Sequence, residues 1–250
     1  MVEFNKMRIY IYKTVDEVIE GLANYFVQTV NTVIKEKKEC TVVLSGGNSP
    51  KKLYERLATW NYSKQIDWDK IYFFFGDERY VPFTNPDSNG NMVKKILFDP
   101  LMIPDANIFY INTAVPPEES AKKYAQRILS YFKNNPVRFD LVLLGLGDNA
   151  HTASLFPHTP VLKEKKALVK EVYLKDQQSF RITMTAALIN EAYAIAFLVY
   201  GEAKANAVHD VLEGEKDFET FPAQIIDPDD GVLHWFLDEE AARNLIRKEF

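Results

Sequence analysis

The chain of 250 residues is 47% hydrophobic and 26% charged, with a formal net charge of −5, the balance of an ordinary soluble globular protein. Its charges are spread out, with no basic block or basic helix to track a phosphate backbone or an anionic surface, so neither nucleic acid nor a membrane is an expected partner. A single cysteine, Cys40, excludes an internal disulfide. No apolar stretch at the start has signal-sequence length and the longest apolar run, residues 192–200, is too short for a bilayer, so the expected location is the cytoplasm.

In chain order, RIYIY (8–12) reads as a first strand, and Thr14 then caps a helix running to about Lys37 with Asp16 and Glu17 in its first turn. TVVLS (41–45), headed by Cys40, reads as a buried strand. Ser49 and Pro50 read as the cap and first-turn proline of a second helix through about Ala58. IYFFF (71–75), IFYI (108–111), FDLVLLG (139–145), ALVKEVY (167–173), AIAFLVY (194–200) and HWFL (234–237) continue the strand signals, with Ser88, Glu118 and Asp238 opening further helices. Continuous apolar runs mark strands buried on both faces, and their alternation with helices points to an α/β fold with a parallel or mixed sheet covered on both sides. Residues 135–138 and 226–231 read as turns, and no linker or repeat divides the chain, so 1–250 is expected to be one domain.

Ligands of such sheets bind beyond the carboxyl ends of the strands, and three clusters stand there. SGGNSP (45–50) lets the backbone approach an anion at a helix N-terminus, although a bare tight turn has the same signature. GDERYVPFTNPDSN (76–89) offers an acid at Asp77, a base candidate at Glu78 and a guanidinium at Arg79 suited to a phosphate, against the alternative of a solvated ion pair.

The third cluster, LVLLGLGDNAHTASLFP (141–157), has Gly145, Gly147 and Ala150 at the spacing of a dinucleotide fingerprint, with Glu171 at a fitting distance for the ribose. Pro157 and Pro160 deny it the helix such a site needs, so a loop presenting His151 is the favoured reading. A neutral imidazole is the usual general base near pH 7. His158, His209 and His234 have no metal-ligand spacing, and no G-x-S-x-G elbow supports a serine nucleophile.

Taken together, SGGNSP (45–50), FFFGDERYVPFTNPDSN (73–89), GLGDNAHTASLFP (145–157), RITMTAALIN (181–190), YGEAK (200–204) and HWFLDEEAA (234–242) resemble the 6-phosphogluconolactonase family in order and across almost the whole chain. The resemblance implies a three-layer α/β/α fold, a doubly wound, mostly parallel sheet like that of sugar-phosphate isomerases and deaminases. It implies hydrolysis of 6-phospho-D-glucono-1,5-lactone to 6-phosphogluconate, the second step of the oxidative pentose phosphate pathway, without a metal or redox cofactor. His151 would be the base, Asp77 an acid orienting the sugar or the histidine, and Gly46, Gly47, Ser49, Arg79 and Lys204 the phosphate anchor, with Arg181 contributing.

Two positions depart from the family pattern. Asn149 and Ala150 stand where Asp-Gly is usual, with an acid one place earlier, so the partner of His151 is open between Asp148 and Asn149. Asn149 can accept an imidazole hydrogen bond, and either Asp148 or Asp77 supplies the missing charge or the lactone is reactive enough to need less help. Asn48-Ser49 stands where Ser-Thr is commoner. The related aminosugar-phosphate deaminases and isomerases place a carboxylate five residues after the histidine, where this chain has Phe156. A sugar-phosphate sensor that has lost catalysis is the other alternative, and the sequence offers no reading of the oligomeric state.

Overall fold

The first strand signal becomes β1 (Met7–Tyr12) and leads into α1 (Val15–Lys37) in the computed structural model, which describes residues 7–133 and 135–246. Thr14 Oγ1 accepts the Glu17 amide at 3.3 Å and Glu17 Oε2 accepts the Thr14 amide at 3.2 Å, a reciprocal cap that satisfies two orphan donors. At the other end Lys38 turns into the left-handed region with φ 72° and stops the helix. Next come β2 (Cys40–Leu44), α2 (Asn48–Leu57), the single turn α3 (Trp60–Ser63), β3 (Ile71–Phe75) and β4 (Asp77–Arg79). α4 (Asn89–Val93) runs through a π-helical turn at Lys94–Phe98 into α5 (Asp99–Leu101), before β5 (Ile108–Phe109), α6 (Pro117–Tyr131) and β6 (Leu141–Leu144). The chain closes with β7 (Val169–Leu174), β8 (Ser179–Met184), α7 (Ala186–Asn190), β9 (Ala194–Val199), α8 (Ala205–Leu212) and β10 (Val232–Asp238).

Seven strands form one sheet in the order β1-β10-β9-β6-β2-β3-β5, and every pairing in it is parallel. Alternation along β3 shows how its two faces are covered. Phe73 lies against Trp68 and Phe98, and Trp68 in turn against Phe26 of α1, while Phe74 packs on Phe109, Phe139 and Tyr131 of α6. Helices therefore cover both faces, and the fold is α/β and doubly wound.

From β2 the chain steps outward through β3 and β5, then returns to β6 on the other side of β2 and steps away through β9 and β10. The reversal between β2 and β6 leaves a crevice at their carboxyl ends, because the connections on either side diverge. The first and third sequence clusters are the loops that flank it.

Three expectations are corrected. ALVKEVY does not join the parallel sheet. It forms β7 in a separate antiparallel sheet, ordered β4-β8-β7, whose other two strands carry too few apolar residues to stand out as buried runs. Ser49 does not cap α2, which begins at Asn48 after Gly47, at φ 98°, has turned the chain; no side chain caps it. Asp238 opens no helix among the described residues. It ends β10, and its carboxylate accepts the amides of Ala241 at 2.8 Å and Gly201 at 2.9 Å.

Candidate active site

At the crevice between β2 and β6 lies a cavity of about 430 Å³, and Gly46, Gly47, Ser49, Asp77, Arg79, His151 and Lys204 all line it. A larger cavity of about 580 Å³ lies beyond β4 against Tyr80, Phe83 and Tyr110. Its two cations, Lys94 and Arg127, are engaged with Asp99 and the Tyr110 carbonyl, whereas the smaller cavity joins Arg79 and Lys204 to the N-terminal turn of α2, a combination that suits an anion better.

The β2–α2 loop forms one wall. With Gly47 at positive φ and no side-chain cap, the first amides of α2 are left free at the positive end of its dipole, an arrangement that favours a phosphate or carboxylate. Gly46 is required by close approach rather than by its dihedral, since a Cβ there would stand 1.8 Å from Asn89 Oδ1.

Asp77 opens the opposite wall. It is buried, and Ser154 Oγ donates to its Oδ2 at 2.6 Å while Asn89 Nδ2 donates to its Oδ1 at 3.3 Å. Burial raises the pKa of its carboxyl, against the hydrogen bond from Ser154 and the charges of Arg79 and Arg181, which lower it. Glu78, the base candidate of the sequence, faces away from the cavity. Its carboxylate accepts the amides of Asn89 at 2.7 Å and Gly90 at 2.8 Å and the Ser88 hydroxyl at 3.0 Å, anchoring the start of α4. The carboxylate takes up the amides at the start of α4 that the Ser88 cap does not satisfy, which explains why it is structural.

The loop after β6 holds His151. Gly147 donates its amide to the His151 carbonyl at 2.8 Å, Ala150 donates to Gly147 at 3.0 Å, and Thr152 Oγ1 reaches back to the Gly145 carbonyl at 2.8 Å. No helix follows Gly147 within residues 145–159, which removes the dinucleotide reading. A Cβ on Gly147 would meet His151 Nδ1 at 2.0 Å, so the glycine makes room for the ring. Ala150 sits at φ 58°, a conformation a glycine adopts without strain, which gives the family's usual glycine there a physical reason.

The imidazole stacks on Phe156 with centroids 4.0 Å apart, and its Nδ1 lies 2.5 Å from Asn149 Oδ1. An amide oxygen can only accept, so this contact places the proton on Nδ1 and leaves the Nε2 lone pair free. Burial, then the charges of Lys204, Arg79 and Arg181, pull the imidazole pKa down to about 4; Asp148 opposes them weakly. His151 is therefore neutral at pH 7.

Two sequence expectations shift here. Asp148 does not hydrogen-bond the imidazole: its exposed carboxylate accepts from Lys204 Nζ, because its side chain leaves the loop on the side of the turn before α8. Arg181 does not line the cavity. It is the cross-strand partner of Arg79, and its guanidinium donates to Ser179 Oγ, the Phe180 carbonyl and Gln177, keeping two like charges from sharing one spot. Asn89 and Ser154, which hold Asp77, lie within the second and third sequence clusters but carry no signal of their own there. His158, His209 and His234 lie off the cavity wall.

Residues 13–235 match a family model described as glucosamine-6-phosphate isomerases/6-phosphogluconolactonase. The chain is 43% identical over 220 residues to a 6-phosphogluconolactonase of Synechocystis, covering 86% of this chain and 89% of the relative. It is 37% identical to one of Haemophilus influenzae, over 82% of this chain and 87% of that one. A solved 6-phosphogluconolactonase from Trypanosoma brucei superposes with a TM-score of 0.84 at 29% identity, covering 95% of this chain and 98% of the other. A monomeric glucosamine-6-phosphate deaminase, 23% identical with a TM-score of 0.82 over 96% of this chain and 100% of its own, shares the fold.

Proposed function

The chain belongs to the glucosamine-6-phosphate isomerase and 6-phosphogluconolactonase family, and we propose that it hydrolyses 6-phospho-D-glucono-1,5-lactone to 6-phospho-D-gluconate. The observation that carries this reading is His151, neutral and with Nδ1 occupied, on the wall of a cleft whose other wall is built for an anion. Phe156 supports the lactonase over the deaminase. It stacks on the imidazole at the place where the deaminases present a carboxylate, so this cleft lacks the acid their chemistry uses there.

In this reading the phosphate sits against the free amides of α2, with Ser49, Arg79 and Lys204 around it. Held there, it positions the lactone carbonyl at the far end of the sugar, so remote binding contributes to rate. His151 Nε2 takes a proton from water as the water oxygen bonds to the carbonyl carbon, and the carbonyl π pair moves onto its oxygen. On collapse the bond from that carbon to the ring oxygen breaks, and the ring oxygen takes the proton back from Nε2. Asp77, fixed by Ser154 and Asn89, orients the sugar hydroxyls rather than the histidine.

The test is disappearance of freshly generated lactone at pH 7 against its spontaneous hydrolysis, with His151→Ala alongside. Acceleration by the wild type, reduced ~10²–10⁴-fold in the variant, is the expected result. Ammonia release from glucosamine 6-phosphate, or product binding without turnover, would overturn the reading in favour of a deaminase or a sensor.

A further inference from the structure

We propose that the substrate's phosphate completes the catalytic base as well as anchoring the sugar: His151 becomes an effective proton acceptor when a dianion engages Lys204 and Arg79. This rests on the lactonase reading and concerns how that site recognises phosphorylated substrates.

The argument begins with the partner of the imidazole. Asn149 fixes the tautomer but has no charge, so it stabilises the imidazolium that forms when Nε2 takes a proton far less than a carboxylate would. The acid next to it, Asp148, is 73% exposed and turned toward Lys204, where water screens it. Asp77 lines the same cavity but is held by Ser154 and Asn89, and the cations that weaken the base are Lys204 from the turn before α8, Arg79 from β4 and Arg181 from β8. Phe156 covers one face of the ring with carbon. Burial first, and then these cations, disfavour the protonated histidine and bring its pKa down to about 4.

Two of those three cations, Lys204 and Arg79, line the cavity together with the free amides of α2, where the phosphate would lie. A dianion between them cancels the field they exert on His151 and adds a negative potential in a partly water-excluded cleft, where such interactions are strong. The base thereby gains strength only in the complex that contains a substrate to use it. A lactone without a phosphate should accordingly show a lower kcat as well as a higher KM.

The coupling can be read without turnover by following the His151 ring by NMR in the full chain, with and without inorganic sulfate, which stays a dianion through the titration. Sodium chloride at matched ionic strength serves as the control. The expected result is an upward shift of the His151 pKa by at least one unit with sulfate and not with chloride, together with tighter sulfate binding at lower pH by the same factor. Lys204→Met should raise the pKa in the absence of sulfate and shrink the sulfate effect. In kinetics, inorganic phosphate added separately should raise kcat for unphosphorylated glucono-1,5-lactone. A titration indifferent to bound sulfate, or no perturbation of the Gly46 and Gly47 amides by sulfate, would overturn the proposal. If the phospholactone is still hydrolysed in that case, the lactonase reading stands. A sulfate-dependent shift in a protein that leaves the lactone untouched would overturn the lactonase reading instead, and with it the catalytic meaning of the shift.

Discussion

Asp77 shows how much of a site residue's behaviour comes from its neighbours. Both its oxygens are held, by Ser154 and Asn89, in a buried position that raises its pKa. A carboxyl whose folded pKa lies above its unfolded value adds stability only at low pH, and that contribution is lost as pH rises through the folded pKa. Wherever the group is ionised, its charge is therefore a net cost to the fold. Asp77→Asn can keep both hydrogen bonds, accepting from Asn89 and donating to Ser154 Oγ, without the buried charge. The variant is expected to melt ~2–4 °C higher at pH 7 and to turn over more slowly, a trade between stability and activity that thermal scans and lactone assays would check together. An unchanged or lower melting temperature would mean that the carboxylate's hydrogen bonds outweigh its desolvation. The sequence made Asp77 a candidate because an acid beside Arg79 at a strand end is a local pattern. Ser154, 77 residues further on, carried no comparable mark.

At the scale of elements, the loop after β6 is fixed by short-range contacts that its own residues dictate. Gly147 and the imidazole occupy one space, and the β6 strand delivers both to the rim of the crevice. Gly147 lies outside the left-handed region, so Gly147→Ala is tolerated by the backbone but drives a methyl group into the His151 ring. That variant should fold and bind sulfate as the wild type does while losing about 10²-fold in kcat, the scale expected when a reacting group is displaced by about 1 Å. Circular dichroism, sulfate titration and kinetics separate those effects, and full activity would show that the ring has room to spare. The turn before α8 is organised from a distance, since Asp238 at the end of β10 holds the Gly201 amide and so sets where Lys204 begins. Sequence pattern suggested a helix opening at Asp238 because a capping carboxylate and a strand-end anchor have the same composition.

For the whole molecule, two histidines held neutral work against stability in acid. His151 on the cleft and His234 inside the parallel sheet both have pKa values lowered to about 4, chiefly by burial. A histidine whose folded pKa is depressed contributes stability that is present above its unfolded value of about 6.5 and is lost as pH falls toward 4. His234 stacks with Tyr10 and Phe236, and its buried Nδ1 has no partner, so His234→Phe removes a titrating group without orphaning another. Urea unfolding at pH 7 and pH 5 should show the wild type losing stability at the lower pH and the variant losing less. Equal losses would place the acid sensitivity elsewhere. The sequence by itself determined the strand and helix alternation, the phosphate-loop glycines and the histidine loop. Each depends on residues close together in the chain, where burial pattern, dihedral freedom and proline restrict what the backbone can do. Only the tertiary structure decided that Asp148 turns to Lys204, that Arg181 stands off the cavity and that Ser154 and Asn89 fix Asp77. Those partnerships depend on strand order and cross-strand register, which bring distant side chains within hydrogen-bond range and leave no local trace in the sequence.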